Sequence, residues 1–178
     1  MRLVNLSVMF LVVGGILGAC NNEGEESSVY TGRETQYNLL EGSYLETTTS
    51  GSITVRERTD KSVEIQLLME GTLNGAIHPV HLHYGSLQDD GLVAEFLSNL
   101  EDAGNNRSQS LTHLTQLADG TTITYDQLID MDGSIKVHFE EEGALKDVLL
   151  GATNIGTNYS MADVGSVKDI TLCNSQTE

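Results

Sequence analysis

The chain has 178 residues, and its 9 Lys and Arg residues against 26 Asp and Glu residues give a formal net charge of −17 at pH 7. This charge argues against nucleic-acid binding, because phosphate contacts need clustered Lys and Arg side chains and the sequence contains no such cluster. Two cysteines exclude a disulfide-dense scaffold, while a hydrophobic fraction of 39% suits one domain with its own core.

The first twenty residues have the pattern of a secretion signal. An apolar run over residues 6–17 is shorter than the ~20 residues needed to span a membrane and matches the apolar part of a signal peptide. The run ends in Leu17-Gly18-Ala19-Cys20, which resembles a bacterial lipobox. That resemblance implies that residues 1–19 are removed and that Cys20 carries lipid, palmitate included, as a membrane anchor. A core helix ending in cysteine is the alternative, which the glycines of this segment disfavour.

An acidic and polar stretch follows this cysteine. Residues 20–30 are therefore predicted to form a lipidated, flexible tether, and residues 31–178 the folded domain. Asn21 in place of an aspartate resembles the sorting pattern of enteric lipoproteins and implies transfer to the outer membrane, on its periplasmic or its cell-surface side. Cys173 is expected to be a buried thiol at a strand end.

The body of the chain alternates apolar and polar residues with a period of two from residue 52 onward. Short alternating segments separated by Gly, Asn and Asp turns are typical of sandwiches and barrels, so we predict an all-β, antiparallel Greek-key fold. Residues 125–129 are predicted to form one helical turn. Seven or eight strands are expected among residues 53–56, 63–70, 78–84, 92–97, 110–117, 121–124, 134–139, 146–150 and 167–172.

Three of the five histidines, His78, His81 and His83, lie within six residues. In a strand, residues i and i+2 share a face roughly 7 Å apart along the chain, so two imidazoles there can converge on one metal ion. With Val80 and Leu82 directed into the core, His81 and His83 point outward and form a compact half-site for copper or zinc.

A later strand offers a third ligand. Its alternation directs Lys136 and His138 outward, so His138 can close a three-histidine site if the two strands are neighbours. His113 is a candidate further ligand, and the alternative is that the histidines only decorate the surface. Pro79 lies inside the motif and lacks a backbone donor, which predicts an irregular or edge position. The acidic run at 140–142 is expected to be a solvated turn.

The histidine string resembles a known family. His78-Pro79-Val80-His81-Leu82-His83, preceded by Glu70-Gly71-Thr72, is similar to the CHRD domain, which occurs in bacterial secreted proteins and lipoproteins. Asp132-Gly133-Ser134-Ile135-Lys136-Val137-His138 resembles the second half of that domain, which ends in a Val-His strand. The resemblance covers residues 50–158 and implies a β-sandwich similar to copper/zinc superoxide dismutase.

The dismutase family implies roles for these histidines. Carried onto this chain, His81 and His83 match its first two copper ligands, His138 matches a later ligand, and His78 matches a histidine that orients the ligating rings. Only His113 lies between His83 and His138, so the further zinc-binding histidines of the dismutases have no counterpart here. No arginine clearly matches the one that attracts superoxide.

Three functions remain open from the sequence, and none has an assigned catalytic residue. The first is a lipid-anchored extracytoplasmic CHRD-type domain, a binding or structural module for an unidentified protein or surface partner, whose histidines bind copper or zinc weakly or not at all. The second is a divergent copper-dependent oxidoreductase similar to superoxide dismutase. The third is an adhesion or interaction module whose histidines are architectural and bind no metal.

Overall fold

The structure, a computed structural model, describes residues 28–43, 48–89, 91–160 and residue 170. The predicted signal segment, Cys20, most of the tether and Cys173 lie outside the described residues, as does the predicted strand at 167–172 except for Ile170. Within the described ranges, none of the helical structure has the length and apolar character needed to cross a membrane.

Eight antiparallel strands close into a barrel. The elements are β1 (Tyr30–Glu41), β2 (Ser50–Arg58), β3 (Val63–Glu70), β4 (Ile77–Tyr84), β5 (Val93–Gly104), β6 (Arg107–Leu114), α1 (Tyr125–Ile129), β7 (Asp132–His138) and β8 (Leu149–Gly156). Around the barrel the strand order is β1-β2-β3-β6-β5-β4-β7-β8, and β8 pairs back with β1. Strands β4, β5 and β6 are consecutive neighbours, and β3 lies beside β6, which makes a Greek key. The predicted all-β antiparallel fold is confirmed.

The predicted faces of β4 and β7 are also confirmed. Val80, Leu82, Ile135 and Val137 are all buried in the main core inside the barrel. Burying one such side chain contributes about 1.5–3 kcal/mol, so the alternation fixes which face of each strand points outward. A slip of one residue would move this entire set from the core to the outer face.

Some strand boundaries differ from the prediction. β1 was not predicted, because its first half is largely exposed and polar, and only Tyr37 and Leu39 in its second half are buried. The segment at 121–124 forms no strand and contributes one isolated bridge, between Gln116 and Thr122. The strand predicted at 146–150 begins only at Leu149, as β8, because the residues before it are still in a turn.

The single helical turn is confirmed over Tyr125–Ile129. Thr124 is its N-cap, and the Thr124 side chain accepts a hydrogen bond from the Gln127 backbone. The Gln127 side chain in turn accepts from the Thr124 backbone N–H at 2.8 Å. This reciprocal capping explains why so short a helix starts where it does.

Candidate metal centre

Neighbouring strands β4 and β7 carry the candidate site on the outer face of the barrel. His81 is paired directly with Lys136, and His83 with Ser134. Directly paired residues share a face, and His138 is two residues beyond Lys136, so the three histidines lie on one side of the sheet. The structure brings His81, His83 and His138 together, with one ligand nitrogen of each within 4.8 Å of the others.

The His81 ring stands between the other two rings. Its centroid lies 4.6 Å from that of His138 and 6.0 Å from that of His83. Zinc–nitrogen bonds are about 2.0–2.1 Å long, so the nitrogens of a tetrahedral zinc site lie about 3.4 Å apart. The observed nitrogens, which lie within 4.8 Å of one another, would draw together by up to about 1.4 Å to hold an ion.

Backbone carbonyls orient two of the rings. The Nδ1 of His83 lies 3.0 Å from the Gly91 carbonyl oxygen, and the Nδ1 of His138 lies 3.1 Å from that of Lys146. Because a carbonyl can only accept, each Nδ1 carries the hydrogen and the lone pair is on Nε2. Metal-ligating histidines commonly donate their other ring N–H in this way, which fixes both tautomer and ring angle.

The third ring, that of His81, presents a different nitrogen. Its Nδ1 is buried and has no hydrogen-bond partner. Leaving a buried polar atom unsatisfied costs about 1–3 kcal/mol, so such an atom calls for an explanation. A metal ion held by Nδ1 of His81 and by Nε2 of His83 and His138 supplies one, and the donor set fits copper or zinc.

The protonation state of the histidines also favours metal binding. Burial lowers the pKa of His81 to about 3, and repulsion from His138, His83 and Lys136 acts in the same direction. Burial likewise lowers the pKa of His138. Both rings are therefore neutral at pH 7, and the neutral imidazole is the form that binds metals.

The outer face is covered at this point, which alternation alone did not predict. His83, Lys136 and His138 are only 2%, 1% and 4% exposed. The chain between β4 and β5 places Leu87 in a small apolar cluster with Ala152, which is paired with Lys136 across the sheet. This cluster is separate from the main core inside the barrel.

His78 is placed on the inner side of β4 and is 1% exposed. Its Nδ1 donates to the Phe139 carbonyl at 2.8 Å, which fixes the backbone directly after His138. Its own Nε2 is buried without a hydrogen-bond partner. The pairing of β4 with β5 shifts register between His78 and Val80, so the strand is irregular around Pro79.

The structure does not bring His113 to this cluster. His113 lies on β6, opposite Glu64 of β3, and β5 separates β6 from β4. Its Nε2 is 2.6 Å from the Ser62 hydroxyl, which also donates to Asp60. His113 therefore belongs to a separate polar contact, two strands away from β4.

Three features of the site were not singled out from the sequence. Gly91 and Lys146 act through backbone carbonyls, for which side-chain patterns carry no signal. Phe96 of β5 is 60% exposed, and its ring packs edge-on against His81 with centroids 4.9 Å apart. Its place opposite His81 depends on the strand register, which periodicity does not fix.

A groove opens beside the half-buried His81. It has a volume of about 720 Å³, and His81 and His138 contribute to its lining. Phe96 and the acidic residues 140–142 also line it. The acidic run thus borders the candidate site.

Comparisons with protein-family profiles, with curated proteins and with solved structures found no match for this chain. The resemblance to CHRD domains and to superoxide dismutases therefore rests on the sequence motifs alone. The chain is an eight-stranded antiparallel barrel whose outer face carries three histidines placed to hold a metal ion.

Proposed function

We propose that the chain is a metal-binding CHRD-type domain that holds copper or zinc on His81, His83 and His138. The observation that carries this proposal is the convergence of three histidine nitrogens within 4.8 Å on two neighbouring strands. Copper and zinc both accept imidazole nitrogen as a ligand, so the donor set suits either metal.

The chain's own residues prepare the ligands before any metal arrives. The Gly91 and Lys146 carbonyls hold His83 and His138 in one tautomer, and burial keeps His81 neutral. The bound ion would accept the lone pair of the otherwise unpartnered Nδ1 of His81, and it would link strands β4 and β7. We therefore assign the domain a metal-binding role without catalysis.

Metal content tests this proposal. The full chain, purified in a mild detergent, is loaded separately with copper and with zinc, dialysed, and analysed for metal per chain. We expect one ion per chain, lost in His81→Ala/His83→Ala and retained in His113→Ala, which removes a histidine outside the cluster. No retained metal in the parent chain would contradict the proposal and favour the interaction module with architectural histidines.

A second candidate is a copper-dependent enzyme similar to superoxide dismutase. The half-buried His81 beside the groove favours it, because an open side at the metal is what a small oxidant needs. The test is superoxide consumption by the copper-loaded chain. Turnover abolished by His81→Ala would support the enzyme, and copper retention without turnover would refute it.

We also propose that the domain is anchored in the outer membrane through lipid on Cys20. The lipobox-like string supports this proposal. Mass spectrometry of the membrane-extracted protein should show loss of residues 1–19 and a mass increase on Cys20 that matches acyl chains. An unmodified Cys20 with residues 1–19 still attached would refute the anchor.

A further inference from the structure

The groove beside the metal centre is acidic on one side. Four carboxylates contribute to its lining, from Glu140, Glu141, Glu142 and Asp147, against the exposed cation of Lys146. Lys136 lies close by, but it is 1% exposed and so does not face the groove. Glu141 and Glu142 are exposed, whereas Glu140 accepts a hydrogen bond from the Leu145 backbone and shapes the loop.

Several of the chain's cations are held on the other side of the barrel. Arg56 and Arg58 of β2 pair with Glu64 of β3, and Arg33 and Lys61 pair with carboxylates nearby. In the strand order β2 lies diametrically opposite β4. These charges are therefore both neutralised locally and kept away from the histidine site.

The charge distribution selects what reaches the histidines. A cleft lined by one sign of charge concentrates ions of the other sign and raises their association rate. Around this groove carboxylates outnumber lysines, so the field attracts cations and repels small anions. A site that served an anionic substrate would need the opposite arrangement.

We propose that the acidic groove is the access route by which a metal cation reaches His81, His83 and His138. The inference rests on the proposed function and deepens it. It makes the hydrated or loosely bound metal cation the species that the domain captures. The same charges would repel an anionic small-molecule substrate from this site.

The association rate of aqueous zinc ion tests the inference. Glu141→Gln/Glu142→Gln removes two exposed groove carboxylates, and the matched control Glu34→Gln/Glu70→Gln removes two exposed carboxylates that do not line the groove. Stopped-flow mixing of the full chain in detergent with zinc ion and an indicator dye gives the rate at low and at physiological salt.

At low salt we expect the groove variant to bind zinc at least ~5-fold more slowly than the parent, with the control within about 1.5-fold. Physiological salt should shrink the difference, because the screening length falls to about 8 Å. All variants should still reach one zinc per chain, since no ligand is altered.

The outcomes separate this inference from the proposed function. A groove variant that binds zinc as fast as the parent would overturn the access route while leaving the histidine site intact. An equal loss of rate in the control would show that net charge acts without the groove and would also overturn it. A parent chain that binds no zinc would overturn the proposed function and this inference together.

Discussion

Gly91→Ala should damage the metal centre from outside its ligand set. A Cβ built on Gly91 would lie 1.6 Å from the Tyr84 carbonyl oxygen, whereas real Cβ contacts essentially never fall below 3.0 Å. The loop must therefore move away from β4 by roughly 1.4 Å, the difference between these two distances. The Gly91 carbonyl moves with it and leaves the Nδ1 of His83, which it now meets at 3.0 Å.

The cost follows from the two hydrogen bonds that this displacement breaks. One is the bond from His83 to Gly91, and the other joins the Tyr84 N–H to the Leu92 carbonyl at 3.1 Å. A lost hydrogen bond costs about 0.5–1.5 kcal/mol, and a buried unsatisfied donor about 1–3 kcal/mol. We expect the free energy of unfolding to fall by about 2–4 kcal/mol. Zinc affinity should fall by about 10–100-fold, as for other groups that orient metal ligands.

Urea unfolding and zinc competition against a chelator measure the two effects separately. Gly120→Ala is the matched control, because its Cβ meets nothing within 4 Å but its φ of +83° disfavours alanine. It should lose about 1–2 kcal/mol of stability and keep full zinc affinity. Unchanged zinc affinity in a destabilised Gly91→Ala would refute the role of this carbonyl in orienting His83.

Further predictions concern the protonation of the clustered histidines, the N-cap of α1, and His113, which lies outside the cluster. The pKa values of His81 and His138 are lowered in the folded state, so the unfolded chain binds more protons at acidic pH. The free energy of unfolding of the metal-free protein should therefore decrease as the pH falls below about 6.5, and the contribution of His81 should continue to decrease down to about pH 3. Urea titrations that show greater stability at pH 5 than at pH 7 would contradict this prediction. Thr124→Ala removes the N-cap of α1 and should cost about 1 kcal/mol in thermal or urea unfolding. His113→Ala should leave zinc affinity unchanged in the chelator competition, and a tenfold loss would show that the site extends to β6.

The fold was largely predictable because one physical signal dominates it. Alternation in β4 and β7 is strict enough to fix which side chains enter the core, and the buried Leu82 and Ile135 follow it. β1 escaped prediction because its exposed first half shows no alternation, and pairing with β2 rather than burial defines it. The register that sets His81 against Lys136 is a tertiary property, which no local pattern determines.

The three clustered histidines were predictable from spacing together with the motif resemblance, whereas their surroundings were not. Periodicity directed His83 and His138 outward correctly, but it did not predict that both are buried on that face. Loop placement depends on contacts between distant segments, and turn residues indicate only where a loop begins. His113 carries the same chemistry as the others, and only the strand order shows that it lies elsewhere.

The central claim is that three particular nitrogens bind one metal ion. Long-range nitrogen–proton correlation spectra of the full, detergent-solubilised chain, recorded during zinc titration, report each imidazole nitrogen separately. We predict that zinc shifts Nδ1 of His81 and Nε2 of His83 and His138, while both nitrogens of His113 stay unchanged. Zinc-induced shifts confined to other histidines, or spectra unchanged at one zinc per chain, would contradict the account.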